Sequence, residues 1–259
     1  MHVVAGPATR RFATAKVARV NGAFWALKLL STAMGEATSD FLVHRFIPQL
    51  AVLAGLVVFA AALWAQLRAT RYSAVRYWFT VAMVSVFGTM CADVVHVALR
   101  VPYVVSAVTF AVVLVLLFAT WYAVEGTISI HTIRTTRREL FYWAAVTVTF
   151  AFGTALGDLT ASTLGLGYFT SVLLFAALLG AVALTRRASR HDVLTFWTAY
   201  VLTRPLGTSV ADWCGVSPAR GGLNWGPGTV GLSLAVAMAL GVVAAALREA
   251  SRRPLTSVG

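Results

Sequence analysis

The sequence predicts an all-α polytopic membrane protein, with eight transmembrane helices arranged as four parallel helical-hairpin repeats in two similar halves. Three observations lead there. The 259 residues are 59% hydrophobic and only 12% charged, about half the charged fraction of a soluble domain. Apolar runs of roughly 20 residues recur along the chain, each long enough to span a bilayer as a helix. One pattern, an aromatic pair followed fifteen residues later by an aspartate, occurs four times in register.

The apolar runs place helices near 23–43, 47–67, 77–98, 102–124, 140–162, 168–185, 194–214 and 228–247. The chain then divides into an N-terminal segment 1–22, a first half 23–124, a linker 125–139, a second half 140–247 and a tail 248–259. The basic N-terminal segment lacks the short apolar core and small-residue cleavage site of a signal peptide. With these helices, 16 of the 21 lysines and arginines fall on one side. They are Arg10, Arg11, Lys16, Arg19, Arg68, Arg71, Arg76, Arg134, Arg137, Arg138, Arg186, Arg187, Arg190, Arg248, Arg252 and Arg253. By the positive-inside rule both termini are cytoplasmic. The net charge of +12 therefore reads as a topology signal and a contact to anionic lipid, with no role for nucleic acid.

The repeat is best seen from its tryptophans. Phe24-Trp25 leads to Asp40, Tyr77-Trp78 to Asp93, Tyr142-Trp143 to Asp158 and Phe196-Trp197 to Asp212. The aspartates are 53, 65 and 54 residues apart, the longer middle interval holding the linker. Each repeat is a pair of helices and so enters the membrane from the same side. The aromatic pairs are expected to anchor at the cytoplasmic interface. Fifteen residues then carry each aspartate about 22 Å deeper. Gly35, Gly88, Gly153 and Gly207 stand five residues before the aspartates, and a small residue precedes each aspartate. Such small-xxx-small ridges let helix backbones approach closely in lipid, which gathers the four odd helices around one axis with the even helices outside.

Residues four apart share a helix face. Four before the aspartates stand Glu36, Thr89, Thr154 and Thr208; eight before stand Thr32, Ser85, Phe150 and Arg204. Each aspartate therefore tops a polar stripe. Of nine acidic residues, five lie on it: Glu36, Asp40, Asp93, Asp158 and Asp212. Lys28 and Arg204 are the basic residues within odd helices. Carboxylates inside a membrane are costly and mark functional sites by default. A converging set needs protons or a cation, and an all-oxygen set favours magnesium, calcium or manganese. Met34, Met90 and Cys91 lie close in sequence and tilt the choice toward manganese. Thr32, Ser85, Thr89, Thr154 and Thr208 would line the pathway, with Arg204 and Lys28 balancing charge.

The plainer readings compete with this one. An aspartate can cap a helix, Lys28 can snorkel to headgroups, and Glu125 and His131 fit a solvated linker. Cys91 and Cys214 read as small buried hydrophobes, with a disulfide open to them only in an oxidising compartment.

The segments KLLSTAMGEATSDF, WYAVEGTISIHTI, FAFGTALGDL, LGLGY and AYVLTRPLGTSVAD resemble a bacterial family of uncharacterised membrane-anchored proteins. The likeness runs from about residue 22 to 247, with the four glycine–aspartate blocks in the same order. The resemblance implies eight helices and no settled activity. Trp213 and Cys214 depart from the plainer apolar residues expected after the last aspartate.

The expectation is an inner-membrane transporter or channel for a hard divalent cation, with proton-coupled export, working as a monomer or homodimer in the lipid bilayer. It is not expected to be an enzyme or to hold a cofactor beyond the cation. Two other readings stand beside it. One is an intramembrane zinc hydrolase using His44, His96 and two aspartates, with Ser39 or Ser85 nearby. The other is a non-catalytic scaffold or sensor.

Overall fold

A computed structural model describes residues 15–188 and 192–251. Arg10, Arg11, Arg190, Arg252 and Arg253 lie outside the described residues, as do the side chains of Arg186 and Arg187. Among the described residues there are eight long helices. They are α1 (Gly22–Arg45), α2 (Pro48–Arg68), α3 (Ala74–Asp93), α4 (Tyr103–Glu125), α5 (Thr136–Asp158), α6 (Gly167–Ala188), α7 (Asp192–Gly215) and α8 (Pro227–Ser251). Six of them are long and apolar enough to cross a membrane: α2, α3, α4, α5, α6 and α8. This is a helical membrane protein. The two helices that fall short, α1 and α7, carry Lys28, Glu36 and Asp40, and Asp192, Arg204 and Asp212.

The odd helices close into a ring, α1 on α3, α3 on α5, α5 on α7 and α7 back on α1. The glycines show how. A Cβ at Gly35 would overlap Ser85, one at Gly88 would lie 2.6 Å from the Cβ of Phe150, one at Gly153 would overlap the stem of Arg204, and one at Gly207 would overlap Thr32. Each glycine thus receives the residue eight before the aspartate on the next helix, around the whole ring. Ser85 Oγ adds a hydrogen bond to the Ser31 carbonyl of α1 at 2.7 Å.

The even helices lie outside. Each packs chiefly on the odd helix that follows it, α2 on α3, α4 on α5 and α6 on α7, and α8 closes onto α1. The hairpins expected from sequence order are therefore not the main packing units. Many large side chains of α2, α4, α6 and α8 remain exposed, Leu53, Val57, Val115, Leu116, Leu173 and Leu240 among them. Lipid is their natural partner, because these helices satisfy their own backbone.

The aromatic pairs form a belt. Phe24 meets Trp78 at 5.6 Å between ring centroids, Tyr77 meets Trp143 at 5.6 Å, Tyr142 meets Trp197 at 6.2 Å and Phe196 meets Trp25 at 5.7 Å. The expected role as interface anchors gives way to a buried seal at one end of the ring. Rings gain more by covering one another than by staying half wet.

Three further expectations change at this aromatic end. Lys16 is buried and ion-paired with Glu139, so it is no free headgroup charge. Its Nζ also donates to the carbonyls of Gln66, Leu67 and Ala69 at 3.3, 3.2 and 2.9 Å, at the end of α2 where carbonyls run short of intrahelical donors. Helix α5 starts four residues before the expected 140, where Thr135 caps the Arg138 amide at 3.3 Å. The linker is packed in part: Ile130 and Ile133 are buried and Glu125 pairs with Arg137 and Arg138, while His131 is exposed as expected.

The close glycine contacts predict a specific sensitivity. Gly35→Val should destabilise the detergent-purified protein by about 1–3 kcal/mol through overpacking. Gly180→Val, where a Cβ meets nothing within 4 Å, should leave the melting temperature unchanged. Equal melting temperatures for the two variants would contradict the ring packing.

Candidate functional site

The site starts from one carboxylate oxygen. Glu36 Oε2 on α1 accepts from Thr89 Oγ1 on α3 at 3.1 Å, Thr154 Oγ1 on α5 at 3.2 Å and Thr208 Oγ1 on α7 at 3.0 Å. The ion pair with Arg204 Nη2 is 2.9 Å long. The four residues that stand four before the aspartates therefore do converge, and they do so on the ring axis. Glu36, Arg204 and the three threonines are all buried.

Arg204 comes from the layer below. Its Nη1 donates to the Thr32 carbonyl at 2.7 Å and its Nε to the Phe150 carbonyl at 3.3 Å. Nη2 also donates to Thr154 Oγ1 at 2.8 Å and to Thr89 Oγ1. The planar fork of guanidinium donors suits this task, since it satisfies several acceptors at once in fixed directions. The Phe150 ring lies 4.8 Å from the guanidinium carbon, so the one apolar member of the stripe is an aromatic face beneath a cation.

Lys28 does not snorkel. Its side chain is buried, and its Nζ lies 3.8 Å from the Phe150 ring centroid and 4.2 Å from that of Tyr200, without a hydrogen-bond partner. The cause is direction: side chains on a helix lean toward its N-terminus, and here that path leads into the belt.

Asp40, Asp93, Asp158 and Asp212 stand one turn beyond Glu36, about 6 Å along the axis. They lie within electrostatic reach of one another and of Glu36. They do not form one metal site with Glu36: among the described residues, no group of three or more His, Cys, Asp or Glu side chains is placed to hold a metal ion. The physical reason is that Glu36 is drawn down by four donors, which leaves the aspartates as a looser ring above it. Asp212 is buried, the other three are partly exposed, and Asp93 Oδ2 is buried without a partner.

Asp93 and Asp158 each end a regular helix and open a π-helical turn, Val94–Ala98 and Leu159–Thr163. The turns match bond for bond: Leu99 N to Val94 O and Val101 N to Val95 O recur as Leu164 N to Leu159 O and Leu166 N to Thr160 O. Arg100 and Gly165 occupy equivalent left-handed positions, with φ of 53° and 67°. π-Helical turns tend to occur at functional positions.

Several mouth residues carry no sequence signal beyond their spacing. Tyr103 and Tyr168 each follow an aspartate by ten residues and lie within reach of Asp158 and Asp212. Arg220, in the turn before α8, donates to Tyr168 Oη at 2.7 Å. Trp213 stacks near Phe169 at 4.9 Å, and α7 continues through Cys214.

The other candidates resolve differently. Met34 Sδ accepts from Thr38 at 3.4 Å, and Met90 Sδ packs against Gly55 of α2; neither sulfur joins the aspartates. His44 and His96 each hold a backbone carbonyl through Nδ1 at 2.7 Å, those of Asp40 and Val101. They do not assemble a zinc site. Cys91 and Cys214 are free and partly buried.

The central pair predicts a non-additive response. Glu36→Gln or Arg204→Gln alone leaves one buried charge unmatched and should cost about 3–5 kcal/mol in stability. The double variant E36Q/R204Q should recover most of that loss in a thermal melt. A double variant as unstable as the sum of the singles would mean the pair is not coupled.

No curated protein and no solved structure matches the chain. A family model described as Repeat of Unknown Function (DUF347) matches residues 76–127, 141–192 and 195–251. These blocks begin near the aromatic pairs of α3, α5 and α7, and each spans most of an odd helix and the helix after it. The first pair, α1 and α2, falls outside the matched blocks, and it is the pair in which Lys28 and Glu36 replace the valine or tyrosine and the threonine of the others. With most of its length built of this repeat, the chain belongs to the DUF347 repeat family.

Proposed function

We propose that the protein is a cation carrier of the bacterial inner membrane. It crosses eight times as four parallel helix pairs, with the aromatic end and both termini in the cytoplasm. The observation that carries this reading is the tiered carboxylate set, four aspartates at one end of a closed ring and Glu36 beneath them at its centre. Buried acids at such depth are retained for ions or protons.

A carrier fits better than a fixed pore. The axis is filled by the Glu36–Arg204 layer, by Lys28 and by the aromatic belt. Arg204 acts as a tethered cation on the inner carboxylate. A hard divalent ion entering from the aspartate end would compete with it for Glu36. Because the four aspartates and Glu36 make no metal group and Met34 Sδ is held by Thr38 while Met90 Sδ packs on α2, oxygen and retained water would meet the ion. That favours magnesium or calcium over manganese, since magnesium in particular keeps much of its hydration shell. Export against the ion's gradient would be driven by exchange with protons, as carboxylates that take a metal release them.

The test is flux in proteoliposomes against magnesium, calcium, manganese, cobalt and zinc. Asp93→Asn and Asp158→Asn should each slow transport on the order of ten-fold or more, by removing a charged ligand. Wild-type rates in both variants, or no ion moved by the native protein, would sink the reading.

A further inference from the structure

Beneath the Glu36–Arg204 layer, the axis holds groups that can carry protons and that the carboxylates do not use. Lys28 Nζ is buried without a hydrogen bond, over the face of Tyr200. The Tyr200 hydroxyl is buried and faces the Tyr142 hydroxyl closely enough to interact with it. Tyr142 Oη and Tyr77 Oη are 2.5 Å apart. The Tyr77 ring lies 5.8 Å from that of Tyr72, which is half-buried and within reach of Glu249 at the aromatic end. The series runs from the central layer to that end without leaving the ring.

Packing does not require these polar groups, and the repeats themselves show it. The position of Lys28 and Tyr200 is filled by Val81 and Val146 in the other two repeats. The position of Tyr77 and Tyr142 is filled by Phe24 and Phe196. Valine and phenylalanine build the same layers, so the amine and the hydroxyls are extra chemistry, and all of it falls on one route. An unsatisfied buried polar group costs free energy, and this chain keeps one on the route, Lys28 Nζ.

We propose that Lys28, Tyr200, Tyr142 and Tyr77 form a proton path between the central layer and the aromatic end. Once Lys28 Nζ swings from the Tyr200 ring face to its hydroxyl, a proton leaves the ammonium as one N–H bond breaks and one O–H bond forms on Tyr200. Each tyrosine then passes its own hydroxyl proton onward as it takes one in, and Tyr77 gives the last one to water at the aromatic end, so no tyrosine changes charge. The path is broken above Lys28 by the positive charge of Arg204, which repels a proton arriving at Lys28. A coupled carrier needs such a break, since an open path would dissipate the proton gradient. This coupling role rests on the carrier reading, whereas the path itself does not.

The experiment reconstitutes the full chain into vesicles containing a pH-sensitive dye, imposes a pH gradient and adds no divalent ion. Arg204→Gln should collapse the gradient on the order of ten-fold faster than wild type, and adding Tyr142→Phe should restore the wild-type rate. A gradient as long-lived with Arg204→Gln as with wild type overturns the path, and so does a leak that survives Tyr142→Phe. If Arg204→Gln does not purify as a folded protein, E36Q/R204Q, which leaves no unmatched charge in that layer, takes its place with the same outcomes. A parallel measurement of magnesium flux by the wild type separates the two ideas. Failure to move magnesium or any other divalent ion counts against the carrier, while the gradient assay still decides the path.

Discussion

One carboxylate oxygen holds the centre of this molecule. Glu36 Oε2 is bonded from α3, α5 and α7 at once. A buried charge must be matched or it destabilises the fold by several kcal/mol, so the four odd helices have to come within reach of one point. The glycines make that approach feasible, since any Cβ at Gly35, Gly153 or Gly207 would overlap the neighbouring helix. The pair also joins the first odd helix to the last, which is where a ring built from a linear chain has to be closed.

The repeat explains the architecture, and its departures explain the chemistry. Where the four copies agree, at the tryptophans, the glycines and the aspartates, they build a belt, a seam and a mouth with cyclic contacts. Where they differ, a single copy supplies what the axis uses: Lys28 and Glu36 from α1, Phe150 from α5, Arg204 from α7. The π-helical turns add a second level of difference, because they follow only Asp93 and Asp158. The mouth is therefore twofold in its backbone and onefold in its charge.

Much of this was legible in the sequence, because the signals were periodic. Helix positions, the odd-helix ring, the glycine seam and the convergence of Glu36 with Thr89, Thr154 and Thr208 all follow from intervals of four and fifteen. What was not legible was direction. Spacing put Lys28 and the aromatic pairs at a helix end, and that end could have faced headgroups; only the packing shows them turned inward. Spacing also put Glu36 with the aspartates as one ligand set, yet the rotamer that reaches Arg204 separates it from them. Lys16 looked like an interfacial charge because nothing local reveals that Glu139, far along the chain, would bury it. The linker's isoleucines were the one local hint that it packs.

The filled axis constrains any passage along it. A solute moving from the aspartates toward the aromatic end first meets a guanidinium already seated on Glu36, then Lys28, then the hydrogen-bonded hydroxyls of Tyr77 and Tyr142. The first barrier is ionic, and on the carrier reading a cation would have to replace Arg204 on the same oxygen. The last barrier is the Tyr77–Tyr142 hydrogen bond inside an aromatic belt, and on the proposed path only a proton would cross it. The two ends of the axis are thus closed in different ways, one by an ion pair and one by packed rings.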